Sequence, residues 1–191
     1  MLTKYLKSIG KIQDSAVISI LGGLIGMIPM DISNYLLWKK GKTENLYGHV
    51  AGSMLMSKFR MNQTKNFILG QFWHYAAGAG FGFPAFYLLK KTGKDHLLLK
   101  GASVGMFTWG LLYNFGMRIG LYGANPRLTK TKYAALWHNF LYGVTTVYAI
   151  SAIADPGLFP QKQNNRDISA QNMPISEDYK KGAHQYESIV N

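Results

Sequence analysis

The chain has 191 residues, 48% hydrophobic and 14% aromatic, with no cysteine and a formal charge of +12. The missing cysteines exclude disulfides, thiolate metal sites and cysteine nucleophiles. The charge argues for anionic lipid headgroups and against nucleic acid, because the basic residues, Lys100 and Arg118 apart, lie in the tails and three connecting segments rather than on one face.

Taken in order, residues 1–15, with Lys4, Lys7 and Lys11, form a basic lead-in. A first apolar run, 16–38, has 23 residues, enough to cross a hydrocarbon core about 30 Å thick. It is too long for a cleavable signal, and no small-residue cleavage site follows it. Near its far end it carries Pro29, Asp31 and Asn34. A carboxylate at that depth is costly unless another part of the chain pairs with it. Trp38 and Lys39-Lys40 mark the exit at headgroup level.

Residues 39–66 are too polar to span. Leu46, Val50, Met54, Leu55 and Phe59 recur there at helical spacing, beside Lys58 and Arg60. That pattern predicts a helix over about 45–60 that lies flat on the membrane or packs on its own protein. A second span is expected over 67–89, interrupted by Pro84. Its Gly78-x-x-x-Gly82 permits close helix approach, as do Gly22-x-x-x-Gly26 and Gly101-x-x-x-Gly105. After the basic turn Lys90 to Asp95 comes a third span, 97–121, with Lys100 snorkelling at its start and Asn114 and Arg118 toward its end. Turn-rich residues 123–132 lead to a fourth span, 133–154. From 155 to 191 the composition turns to Gln, Asn, Ser, Asp and Lys, which predicts a disordered polar tail. The expected architecture is therefore all-α. It is an integral membrane four-helix bundle over 1–154, with an interfacial helix after the first span and a disordered C-terminal tail.

The spans also suggest an internal pairing. Gly22-x-x-x-Gly26-Met27 matches Gly101-x-x-x-Gly105-Met106, with Asn34 and Asn114 further on. Trp73-His74 matches Trp137-His138 at the entries of spans two and four. A duplication of this kind would relate two hairpins by an axis along the membrane normal.

Without any duplication, an up-and-down chain brings Asp31, Asn34, His74, Asn114, Arg118 and His138 to one end of the bundle. Four chemistries fit such a mouth. Asp31 and Arg118 form an interhelical ion pair that sets helix register. Alternatively, His74 and His138 face each other as haem axial ligands or, with Asp31, as a metal site. In the third, Arg118 and the amides form a vestibule for a small anion or a lipid headgroup. The last makes a histidine a base beside Asp31, but no nucleophile motif or His-Glu-x-x-His supports it. His49 and His96 lie in connectors. The lysine and arginine balance, nine on each side of the membrane, leaves the orientation open.

The first-span Gly-x-x-x-Gly…Asp31-x-x-Asn34, the connector Tyr47-Gly48-His49-Val50-Ala51 and the third-span Lys100-Gly101…Gly105-x-x-x-Trp109 together resemble uncharacterised small multi-pass membrane proteins of Gram-positive bacteria. The resemblance covers about the first two-thirds of the chain. It implies a bacterial plasma-membrane location and carries no activity with it. The sequence therefore leads to a non-catalytic membrane accessory or scaffold protein without a cofactor. Its expected partners are the bilayer, its anionic headgroups, and a second copy or another membrane protein docked through glycine faces. The alternative is a protein that binds or transports a small polar or anionic ligand in the six-residue mouth.

Overall fold

The structure is a computed structural model that describes residues 11–56, 63–124 and 126–160. The chain divides into two units, 1–160 and 161–191. The second unit, most of the predicted tail, lies outside the described residues, as do Lys58, Phe59 and Arg60 of the predicted interfacial helix.

Among the described residues the fold is all-α, as the apolar periodicity predicts. Helix α1 (Ser15–Lys39) begins at Asp14, whose carboxylate accepts from the Ala16 and Val17 amides at 2.8 and 2.9 Å. It continues through Pro29. Helix α2 (Tyr47–Gly52) is a short connector helix. Helix α3 (Thr64–Thr92) runs through Pro84 and ends at Gly93, whose φ of 81° takes the left-handed turn. Helix α4 (Leu97–Thr108) opens into a π-helical stretch, Trp109–Phe115, and a last helical turn, Gly116–Arg118. Helix α5 (Thr129–Ile153) returns the chain. The predicted third span is thus one helix in position, but its second half is wound more loosely. The Leu112 carbonyl in the loose stretch accepts the Tyr122 hydroxyl at 2.9 Å.

Helix α1 packs along both α3 and α5, α5 also packs along α4, and α3 and α4 meet only briefly. Glycines set these approaches. A Cβ at Gly82 would overlap the Ser19 carbonyl of α1, and one at Gly143 would overlap the Gly101 carbonyl of α4. Reciprocally, Gly23 lies against the Gly78 carbonyl and Gly105 against that of Asn139. The same small-x-x-x-Gly contact therefore recurs in the two hairpins, α1/α3 and α4/α5, but not in the register read from sequence. Gly22 and Gly26 face Ile150 and Thr146 of α5 instead. His74 precedes Gly82 by eight positions and His138 precedes Gly143 by five, so the two Trp-His pairs are not equivalent.

The predicted interfacial helix is shorter than expected. Helix α2 buries Gly48, Val50, Ala51 and Gly52, and a Cβ on Gly70 of α3 would strike the Gly48 carbonyl. The described part of this connector thus packs on its own protein. Residues 155–160, assigned to the tail from sequence, are folded onto the bundle. Phe159 is buried against Phe86, with ring centroids 6.1 Å apart, and Ile12 bridges to Ala154.

The two ends of the bundle differ. At one end an apolar cluster holds Ile18, Phe86, Leu89, Val147 and Ile150, closed by Phe159. Lysines cap the helix C-termini there: Lys11 and Lys94 donate to the Ala152 and Ser151 carbonyls at 2.8 Å, and Lys100 to those of Thr92 and Gly93 at 3.0 and 2.9 Å. Lys100 thus caps a helix rather than reaching for headgroups. At the other end the connectors 40–56 and 119–128 interlock. Ser53 receives the Ala124 amide at 3.1 Å, and Glu44 receives the Leu128 amide at 3.0 Å and the Thr131 hydroxyl at 3.2 Å.

Glu44 therefore supplies, from another segment, the anionic cap that α5 lacks locally. Its slight burial works against the charge, but the Leu128 and Arg127 amides outweigh it and hold the carboxyl below its ordinary range. A depressed folded value means stability that is full above the unfolded pKa, near 4.5, and lost as pH falls through the folded one. Glu44→Gln is expected to lower thermal stability by no more than about 1 kcal/mol at neutral pH. Melts repeated at lower pH should show the two proteins converging as the pH falls through the depressed folded value.

Candidate functional site

The polar end is organised around Tyr47, on the first turn of α2. Its amide donates to Asn34 Oδ1 at 3.0 Å, and Asn34 Nδ2 donates to the Asn45 carbonyl at 3.4 Å. Asn34 thus fastens the connector to α1 and is buried in doing so. The Tyr47 ring lies flat on His74 of α3, centroids 5.0 Å apart and 16° between planes, and meets His138 of α5 edge-on at 5.7 Å. Its hydroxyl reaches His138 Nδ1 at 3.1 Å. Burial pushes this hydroxyl well above its ordinary pKa, so it keeps its proton and can donate to the imidazole.

Asp31 faces α3. Its two oxygens take Gln71 Nε2 at 2.6 Å and His74 Nε2 at 3.1 Å. Side-chain exposure is 12% for His74 and 21% for Asp31. The carboxylate is acceptor-only, so His74 spends its Nε2 proton there and Nδ1 makes no hydrogen bond among the described residues. Gln71 is one helical turn before His74, which puts both donors on the α3 face that meets α1.

This arrangement corrects two expectations. Asp31 does not pair with Arg118. Arg118 and Asn114 are exposed at the end of the α4 extension, and among the described residues Asp31 meets His74 while Asp95 pairs with Lys100. Residue level along the chain predicts depth, but the helical face decides the partner. The histidines also do not face each other across an open gap, because the Tyr47 ring contacts both. No group of three or more His, Cys, Asp or Glu among the described residues could hold a metal ion. Of the six predicted residues, Asp31, Asn34, His74 and His138 converge on Tyr47. Tyr47 and Gln71 were not anticipated. Tyr47 sits in a polar connector, and Gln71 is a neutral amide without a motif.

Beside the cluster lies a cavity of about 350 Å³ between α3, α2 and the π-helical stretch. Its wall is mostly apolar: Ala76 and Ala77 of α3, Met54, Leu112, Leu121 and the ring of Trp73. A smaller recess of about 60 Å³, lined by Met30, Tyr47, Tyr113 and Asn139, shares His74 and Leu112 with it. The cavity exists because α3 and α4 stay apart where α1 and α5 close, and because the loose turn carries Leu112.

No family model matches this sequence, and neither curated proteins nor solved structures show a significant match to it.

Among the described residues one helix, α1, is long and apolar enough to cross a membrane, with a mean hydropathy of 1.8. Helices α3 and α5 have comparable length, but Gln71 and His74, and His138 and Asn139, dilute their apolar runs. Gln71 and His74 turn toward Asp31, and His138 and Asn139 are buried.

Proposed function

We propose that this chain is a four-pass membrane protein that holds a small amphipathic molecule in the α3/α4 cleft. The observation that carries the binding reading is the cavity of about 350 Å³, apolar-walled with His74 and Tyr122 as its ionisable lining groups. That volume is within the range of small-ligand sites.

The membrane part rests on an inverted polarity. Ser19, Asn34, Thr108, His138, Asn139 and Thr146 are buried, while Ile28, Phe72, Leu99, Met106 and Tyr148 point outward, Phe72 with 70% exposure. A water-soluble bundle places these classes the other way round. Basic connectors at both ends suit anionic headgroups. The bacterial plasma membrane comes with the sequence resemblance and belongs to the same proposal.

The other reading, a non-catalytic accessory or scaffold protein, rests on the same outward apolar surface. It loses one support, because the glycine faces expected to dock a partner are engaged inside the chain. Ala77→Phe separates the two. Purified wild-type protein heated with dodecylbenzene is expected to gain about 2.7 kcal/mol at a hundredfold excess over the dissociation constant. The variant should fold with normal yield and gain nothing. Equal protection of both proteins, or of neither, favours the accessory role.

A further inference from the structure

Among the described residues two ionisable side chains line the cavity, and both are already committed on one side: the Tyr122 hydroxyl donates to the Leu112 carbonyl, and His74 is held by Asp31. Asp31 accepts the His74 Nε2 proton at 3.1 Å and is itself braced by Gln71 at 2.6 Å. Tyr47 stacked on the ring prevents the imidazole from rotating. The nitrogen left for a ligand is Nδ1, which in the neutral ring carries a lone pair and accepts. Among the described residues no lysine or arginine lines the cavity, and the charge behind His74 is negative. An acid or phosphate head would approach that carboxylate with no cation to balance it, at a cost raised by the apolar wall. A cationic head fares no better, because no carboxylate is among the described lining residues and Asp31 lies behind His74.

We infer that the ligand's head is a neutral hydrogen-bond donor, a phenol or alcohol, whose hydroxyl donates to His74 Nδ1 while its apolar body fills the space beside Ala77 and Leu112. This deepens the binding reading above and rests on it. The vestibule for a small anion is thereby replaced by a site for an uncharged amphiphile.

The test uses the full chain and four probes with one alkyl tail: 4-dodecylphenol, 4-dodecylanisole, dodecylbenzene and dodecyl phosphate. Affinity is read from quenching of tryptophan fluorescence. The phenol is expected to bind about three- to tenfold more tightly than dodecylbenzene, the range one net hydrogen bond supplies. The anisole, which accepts but cannot donate, should bind like dodecylbenzene. His74→Gln keeps an N–H for Asp31 but replaces the imidazole acceptor with an amide oxygen displaced from the Nδ1 position, and should shrink the phenol's advantage over dodecylbenzene. Should His74→Gln fold poorly, the anisole comparison on wild-type protein still decides. Anisole matching phenol, or dodecyl phosphate binding best, overturns the inference while leaving the cavity reading intact. Binding of none of the four overturns the cavity reading itself.

Discussion

Gly82→Val is expected to abolish the folded bundle. The new Cβ would overlap the Ser19 carbonyl, which belongs to the backbone of α1 and cannot turn aside as a side chain can. Relief requires α1 and α3 to separate. That breaks the contact of Gly23 with the Gly78 carbonyl and strains the Tyr142 hydroxyl bond to Gly78, 2.6 Å long. Overpacking of a core typically costs 1–3 kcal/mol, and a backbone obstacle should put this one at about 3 kcal/mol or more. Gly143→Val should match it, since it meets the Gly101 carbonyl and the Gly105 amide in the other hairpin. Gly80 and Gly110 face open space and serve as controls. Alanine at either should leave stability unchanged or raise it by up to about 1 kcal/mol through helix propensity. Folded yield and thermal midpoint in detergent check all four. Normal folding of Gly82→Val would mean that these helices do not meet along this line.

His74→Phe should be the next most damaging change, costing about 2–3 kcal/mol. It leaves the Asp31 carboxylate on an apolar helix without its imidazole. Losing one partner of a buried pair costs more than losing both, and the partial exposure of Asp31 keeps the figure at the low end. Asp31→Asn in the same protein should recover about 1–2 kcal/mol of that loss. Arg118→Gln, at an exposed residue outside the cluster, should stay within about 0.5 kcal/mol of wild type. Thermal melts of the double-mutant set read the coupling directly. A strong effect of Arg118→Gln, with none from His74→Phe, would restore the pairing expected from sequence.

Much of the helical layout was legible because long apolar runs have few alternatives. The apolar runs at 16–38 and 67–89 appear as the helices Ser15–Lys39 and Thr64–Thr92, lengthened by polar ends that extend the hydrogen-bonded ladder. The loose turn at Trp109–Phe115 was not legible. Its residues suit an ordinary helix, and the hydroxyl that donates to its Leu112 carbonyl, that of Tyr122, comes from the next connector. The site was legible by level only. Counting residues puts Asp31, His74 and Arg118 near one end, but which of them meet depends on how α1 is rotated. That rotation is set by Gly23 against α3 and by Gly22 and Gly26 against α5. Tyr47 could have been weighted more heavily. An aromatic with a hydroxyl, in a Gly-rich connector that returns over the polar end, is suited to join two imidazoles.

The absence of cysteine permits a clean placement experiment. Single cysteines at Ile28, Gly80, Met106 and Tyr148, each exposed and on a different long helix, can carry nitroxide labels in protein reconstituted into bilayers. The account predicts that all four labels relax readily with oxygen and weakly with a water-soluble nickel complex, as in hydrocarbon. Nickel access at Gly80, Met106 and Tyr148, with Ile28 alone protected, would contradict it and leave a chain with one membrane span.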